Sequence, residues 1–186
     1  RQVGDIGRMV DEFSDFARMP KPQFTTTNIV GVLKDASFLV EISNNRISFE
    51  HDFSQEPLLG NFDNRLLGQA FGNIIKNASE SIDGMLEEGI IDQGHILVRA
   101  RGTGSSILVE VIDNGRGLPA ENRHQLLEPY VTTREKGTGL GLAIVKKIIE
   151  DHGGHLDLLD APADFHGGRG ALMRMTFPRL AETSAA

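Results

Sequence analysis

Ile96-Leu97-Val98-Arg99-Ala100-Arg101-Gly102-Thr103-Gly104-Ser105-Ser106-Ile107-Leu108-Val109-Glu110-Val111-Ile112-Asp113-Asn114-Gly115-Arg116-Gly117 decides how the rest of the chain is read. Its apolar runs, Ile96–Arg101 and Ile107–Ile112, flank the turn-rich Gly102-Thr103-Gly104 and predict two strands adjacent in sequence. Upstream, Asp63 or Asn64 opens a predicted helix that runs to about Glu87, with Leu67, Phe71, Ile74, Ile75, Ala78 and Ile82 as its apolar stripe. Before it, Arg46–Phe53 alternates apolar and polar residues as a strand does, and Pro57–Phe62 reads as another. Asn28 caps a predicted helix that turns Val30, Leu33, Ala36, Ser37 and Val40 to one side. Downstream, Asp113–Gly137 has no sustained period and predicts a long loop with one short helix. Leu140–Asp151 predicts a helix stopped by Gly153-Gly154, and His155–Leu159 and Ala171–Phe177 predict closing strands, with a frayed end from Pro178. Helices and strands are mixed, and strand pairs are neighbours in sequence. That order predicts an α/β fold, a two-layer sandwich with a mixed, mostly antiparallel sheet packed on three helices, rather than a doubly wound sheet.

The first residues stand apart. Val3, Ile6, Val10, Phe13 and Ala17 are spaced 3, 4, 3, 4 and predict a helix over residues 1–19. Its seam suits a partner helix or, equally, a core. Gly4 and Gly7 weaken it by roughly 1 kcal/mol each. Pro20 and Pro22 end it, leaving Lys21–Gln23 as a hinge. The chain therefore divides into a helix at 1–22, a domain at 23–180 and a tail at 181–186. It opens at Arg1, directly in a helical pattern, as a piece of a longer protein would.

Composition bounds the function. With 186 residues, 39% apolar and 24% charged, the chain reads as one soluble globular domain with a short appendage. A net charge of −7 argues against a nucleic-acid partner, because phosphate backbones need a surplus of Lys and Arg. The sequence has no cysteine, which excludes a disulfide, a thiolate metal site and a Cys nucleophile. No apolar run approaches the ~18 residues that span a bilayer, so no membrane contact is expected of this segment.

Four short patterns carry chemistry. Asn73 and Asn77 lie one turn apart on the long predicted helix, flanked by Lys76 and Glu80. An amide oxygen is a hard, neutral ligand that suits a Mg²⁺ whose other positions are water and phosphate; two such residues on a helix also suit plain solvent exposure. Asp113-Asn114-Gly115-Arg116-Gly117 follows an apolar strand, so its carboxylate can accept the adenine amino group, where guanine would present a carbonyl. The glycines let backbone approach the base, and an ordinary Asp-Asn-Gly turn remains open. Gly137-Thr138-Gly139-Leu140-Gly141-Leu142 opens a helix whose N-terminal N–H groups and partial positive charge attract phosphate. It lacks both Rossmann glycine spacing and the Lys-Ser/Thr of a P-loop. Leu127-Glu128-Pro129-Tyr130-Val131-Thr132-Thr133 sits in the long loop.

Each pattern is weak alone, and their order is informative. Asn-x-x-x-Asn, Asp-x-Gly-x-Gly, Glu-Pro-aromatic-x-Thr and Gly-x-Gly-x-Gly-x-Ala follow one another over residues 73–143. The set resembles the N, G1, F and G2 boxes of sensor histidine kinases on the Bergerat ATP-binding fold, over about residues 28–178. Arg8-Met9-Val10-Asp11-Glu12-Phe13 and Phe16-Ala17-Arg18-Met19-Pro20-Lys21-Pro22 further resemble the end of the second dimerisation helix in nitrogen-regulation sensor kinases of the NtrY kind. The resemblance implies ATP and Mg²⁺ as cofactors, with Asn77 on the metal and Asn73 supporting it. It implies adenine on Asp113 beside Gly115 and Gly117, and a lid over 118–137. It places Lys76, Tyr130, Thr132, Thr133, Arg134 and Lys136 around the nucleotide, and the run Gly137, Thr138, Gly139, Leu140 and Gly141 at its phosphates. It implies a homodimeric parent anchored in a membrane, with this domain cytoplasmic, and a cognate response regulator as partner.

Departures from the pattern narrow the reading. Leu127 and Tyr130 stand where the family often has Phe, and Glu80 where some branches carry a phosphate-facing Lys. Gly168-Arg169-Gly170 suits a third glycine box or a hairpin turn equally well. The six histidines are at 51, 95, 124, 152, 155 and 166, none on the first helix and none in the family's phospho-acceptor context. The chain thus reads as a γ-phosphoryl donor whose acceptor histidine lies elsewhere. Alternatives are a gyrase- or chaperone-like ATPase and a non-catalytic nucleotide-sensing module. Against the ATPase, Asn73 stands where those enzymes carry a water-activating Glu.

Overall fold

Asn28 and Asp63, both in extended backbone, start two helices by accepting hydrogen bonds from the amides that follow them. Asn28 takes the Val30 amide at 3.2 Å and opens α1 (Ile29–Glu41). Asp63 takes the Arg65 and Leu66 amides at 3.0 and 3.1 Å and opens α2 (Asn64–Glu87). Losing such a cap costs about 1 kcal/mol. A computed structural model describes residues 20–132 and 139–181. The predicted helix over 1–19, the candidates Thr133, Arg134, Lys136, Gly137 and Thr138, and the last five residues lie outside the described residues.

Among the described residues seven strands accompany the helices: β1 (Thr25–Asn28), β2 (Ile47–Phe53), β3 (Leu59–Phe62), β4 (Gly94–Thr103), β5 (Ser106–Asp113), β6 (His155–Asp160) and β7 (Ala171–Pro178), with α3 (Gly141–Asp151) between β5 and β6. The main sheet runs β2-β4-β5-β7-β6; β2 pairs with β4 in parallel and every other pair is antiparallel. β1 and β3 form a separate antiparallel ribbon. Alternation decides the faces. Ile96, Val98, Ala100, Ile107, Val109, Val111, Met173, Met175 and Phe177 point to one side and are buried against Leu67, Phe71, Ile74 and Ile75 of α2 and Val145, Ile148 and Ile149 of α3. Fully burying one such large side chain is worth about 1.5–3 kcal/mol.

The opposite face shows why the sheet is two-layered. Asp52, Arg99, Glu110, Arg174 and Asp157 stand in register on β2, β4, β5, β7 and β6, alternating in charge. Arg99 bridges Asp52 at 3.0 Å and Glu110 at 3.3 Å, and Arg174 reaches Glu110 at 2.9 Å. Such a row faces water, not a second helix layer. One end alone is apolar: Leu97, Ile112 and Leu172 are covered by Ala161, Leu159 and Phe165 of the segment after β6.

Two differences from the sequence reading have physical causes, and so does the parallel pair of the expected mixed sheet. β1 is four residues long with only Thr27 buried, too short and polar to show a period. Parallel pairing of β2 with β4 is set by the intervening α2, not by either strand's composition. The end of the chain does not fray at Pro178, because the Arg179 and Leu180 amides donate to the Ser105 and Leu59 carbonyls at 2.8 Å each. No helix among the described residues is long and apolar enough to cross a membrane.

Candidate nucleotide-binding site

Asn73, Asn77 and Ser81 occupy successive turns on one face of α2. Asn73 and Asn77 are half-buried, whereas Lys76 is exposed and lies 3.9 Å from Glu80. Ser81 is the joint to the next piece. Its Oγ accepts the Arg116 amide at 3.0 Å. A Cβ on Gly115 would lie 2.5 Å from that same Oγ and 2.9 Å from Asp113 Oδ1, so glycine there is what lets the turn after β5 sit against the helix. Asn77 is therefore one helical turn, about 5.4 Å along the axis, from the turn that carries Asp113. Ser81 was not among the sequence candidates; its signal was the spacing of four from Asn77.

Asp113 ends β5, is 4% exposed, and accepts the Gly115 amide at 2.8 Å. Asn114, also buried, ties the turn to the start of β4. Its Oδ1 accepts the His95 amide at 2.7 Å, its Nδ2 donates to the Gln93 carbonyl at 3.0 Å, and its own amide donates to the His95 carbonyl at 3.2 Å. From the far side Gly170, at φ 113°, presses on the Asp113 backbone; a Cβ there would be 1.8 Å from the Asp113 carbonyl oxygen. Gly117 touches the same segment, its missing Cβ 3.1 Å from the Gly170 carbonyl. The Gly168-Arg169-Gly170 run, ambiguous in sequence, lies in the connection that joins the antiparallel strands β6 and β7, and its last glycine also presses on Asp113. His95 stacks on His166 with centroids 3.7 Å apart. Burial, then the neighbouring His166, hold its pKa below the ordinary value against the opposing pull of Glu50.

The loop that leaves Gly117 is anchored where Leu118 and Leu127 pack on the core, the latter in a short 3-10 turn (Arg123–Leu127) that contacts α3. Arg123 fastens it by donating to the Pro119 carbonyl at 2.7 Å and to Asp160 at 2.5 Å. Tyr130, at φ 68° and 54% exposed, donates its amide to the Gly139 carbonyl at 3.0 Å. Gly139 is at φ 71°, and a Cβ there would fall 2.6 Å from the Tyr130 carbonyl carbon. The two ends of the loop therefore meet at Tyr130 and Gly139. Thr132 is exposed on the near side, and Leu140, buried, and Gly141 begin α3 on the other. The first amides of a helix have no intrahelical acceptor, so α3 presents a partly positive end at this point.

The family model described as histidine kinase-, DNA gyrase B- and HSP90-like ATPase matches residues 62–181. Nitrogen regulation protein NtrY of Azorhizobium caulinodans is 50% identical over 176 residues, which are 95% of this chain and 22% of that protein. A putative NtrY-like sensor histidine kinase of Rickettsia bellii is 37% identical over 158 residues, 85% of this chain and 25% of that protein. Among solved structures, the mycobacterial sensor histidine kinase MprB superposes with a TM-score of 0.73 at 25% identity, over 84% of this chain and 98% of that one. The chain spans about a quarter of the length of these two relatives.

Proposed function

The chain belongs to the histidine kinase-, DNA gyrase B- and HSP90-like ATPase family, as an ATP-binding domain of the sensor histidine kinase type, and from that premise we propose that it holds Mg·ATP and presents the γ-phosphoryl to a histidine on a dimerisation helix. The observation that carries this reading is the column Asn73–Asn77–Ser81, which runs along α2 into the turn of Asp113. Asp113 accepts the adenine amino group, with Gly115 and Gly117 letting the base approach. Gly139, Leu140 and Gly141 offer backbone amides to the phosphates, joined by Gly137 and Thr138. Lys76, Tyr130, Thr132, Thr133, Arg134 and Lys136 surround the nucleotide at the root and along the lid.

The donor set fits Mg²⁺. Asn77 supplies one neutral oxygen, supported by Asn73, and no cluster of three carboxylate or imidazole ligands occurs among the described residues. Mg²⁺ keeps much of its shell as water and phosphate oxygen, so one amide ligand is enough. When bound, the ion neutralises phosphate charge. The protein's own work is positioning, because phosphoryl transfer through a loose transition state asks little covalent chemistry of it. Asn73 cannot act as a general base toward water, which favours transfer over hydrolysis.

In the whole protein, the domain serves a homodimer with residues 1–22 as the end of a dimerisation helix, and phosphate passes onward to a response regulator. A membrane-anchored parent with this domain in the cytoplasm completes the proposal. The test is incorporation of labelled phosphate from ATP. This chain alone should show none, and mixing it with a histidine-bearing dimerisation hairpin of the parent should label the hairpin. Labelling of this chain by itself, or sustained phosphate release without the hairpin, would contradict the proposal.

A further inference from the structure

α3 begins at the glycine-rich turn and ends at His152, which is 5% exposed. Both ring nitrogens of His152 are committed. Nδ1 donates to the Ile148 carbonyl at 2.7 Å, which leaves Nε2 to accept the Asp63 amide at 3.0 Å. Asp63 in turn does two things. Its Oδ1 caps α2, and its Oδ2 accepts the Gln23 amide at 2.9 Å. The next residue, Phe24, stands edge-on to the imidazole with centroids 5.3 Å apart, and Phe62 closes the other side at 6.1 Å. Three segments therefore meet on one side chain: the end of α3, the start of α2, and the strap of residues 20–24 that leads into β1. A cavity of about 230 Å³ lined by Phe24, Phe62, His152, Pro178 and Arg179 adjoins the junction. Phe24 is 51% exposed and borders that space.

We infer that His152 is a positioning residue that ties the orientation of α3 to the strap at Gln23–Phe24, so that nucleotide bound at the start of α3 sets the course of the chain entering the domain. The inference rests on the function proposed above. α3 has 11 residues, a rod about 16 Å long at 1.5 Å per residue. A helix packed in a dense core shifts as a body rather than bending. A shift at its phosphate end reaches His152, where the imidazole hydrogen bonds are shielded from water. The same junction fixes the strap through Asp63 and Phe24. The strap follows the proposed dimerisation helix directly, so its course governs how an acceptor histidine approaches the γ-phosphoryl.

Hydrogen exchange of this chain, read at the Gln23 amide with and without Mg·ADP, tests the inference while calorimetry on the same samples reads binding. Mg·ADP should slow exchange at Gln23 by about fivefold or more, the range of ordinary coupling between sites. His152→Phe keeps a ring between Phe24 and Phe62 but leaves the Asp63 amide without its acceptor. It should abolish the nucleotide-dependent change while Mg·ADP affinity stays within about twofold, as for well-separated sites. His152→Gln carries an oxygen as many bonds from Cα as Nε2 and should restore the change. Phe24→Ala, at an exposed side chain, reads the same coupling if His152→Phe does not fold. Binding of Mg·ADP without any change at Gln23 overturns the inference alone, as does an undiminished change in both His152→Phe and Phe24→Ala. Failure of the parent chain to bind Mg·ADP overturns it together with the proposed function.

Discussion

Asp113 is 4% exposed and Tyr130 is 54% exposed, and the contrast runs through everything around them. The turn proposed to hold adenine is locked from four directions: Gly170 behind, Ser81 beside, Asn114 below and Gly115 in its own turn. On the proposed phosphate side Asn77 is half-buried, Thr132 is exposed, and the Tyr130 amide donates to the Gly139 carbonyl. The difference teaches where recognition is stored. On the function proposed above, base selectivity would rest on a turn the fold already holds, whereas the phosphates would meet more exposed side chains. Mutations should therefore couple to stability on the first side and to phosphate affinity on the second.

Gly170→Ala should break the contrast most severely. Its Cβ would overlap the Asp113 carbonyl oxygen at 1.8 Å, at a φ of 113° that alanine avoids. We expect about 3 kcal/mol of lost stability from overlap and backbone strain together. In thermal melts this is a fall of about 6–12 °C, with adenosine binding lost in step. Gly139→Ala carries a similar overlap, 2.6 Å from the Tyr130 carbonyl carbon, but onto an exposed loop root that can shift. Calorimetry should show weakened Mg·ADP, unchanged adenosine, and melting within a few degrees of the parent; equal losses for both ligands would erase the distinction. Ser81→Ala should cost about 1 kcal/mol, because the Arg116 amide loses its acceptor near water. Adenosine binding should weaken about fivefold with it.

Two smaller effects sharpen the picture. The Asp63 carboxyl is held below its ordinary range: burial pushes it up, but the amides of Gln23, Leu66 and Arg65 and the Arg65 charge outweigh that. A carboxylate with a depressed folded pKa contributes stability above its unfolded value, which is lost as pH falls through the folded one. His95 is also depressed, so from pH 6.5 downward the unfolded chain takes up the proton first and stability falls. Melts should therefore decline as pH falls below 6.5 and again as it falls below 3.8, and His95→Gln should remove the first decline only. Arg116→Ala breaks an exposed ion pair with Glu88 and should change stability by no more than about 0.5 kcal/mol.

Much of this was legible in sequence because the signals were local. The caps Asn28 and Asp63, the stripe of α2 and the hairpin of β4 and β5 each sit within one element, where periodicity and capping chemistry act. What stayed hidden was made by packing between distant segments. Gly170 reaches Asp113 across the sheet, Ser81 meets Arg116 across 35 positions, and His152 meets Asp63 across 89. In sequence His152 reads as an ordinary surface or core residue, and only its partners show it as a junction. The four ordered boxes supplied the candidates, but Asn114 read as a turn residue because its bonds to Gln93 and His95 need the strand pairing to exist.

The proposed role of Asp113 is to hold adenine inside a preformed turn. Calorimetry of Mg·ADP and Mg·GDP on this chain, on Asp113→Asn and on Asn77→Ala tests it most directly. The parent should prefer ADP by ten- to more than a hundredfold, the value of about 1.5–3 kcal/mol for a hydrogen bond to a charged group. Asp113→Asn should lose that preference, and Asn77→Ala should weaken both nucleotides alike. Equal affinity of the parent for ADP and GDP, or parent-like ADP binding by Asp113→Asn, would contradict the account.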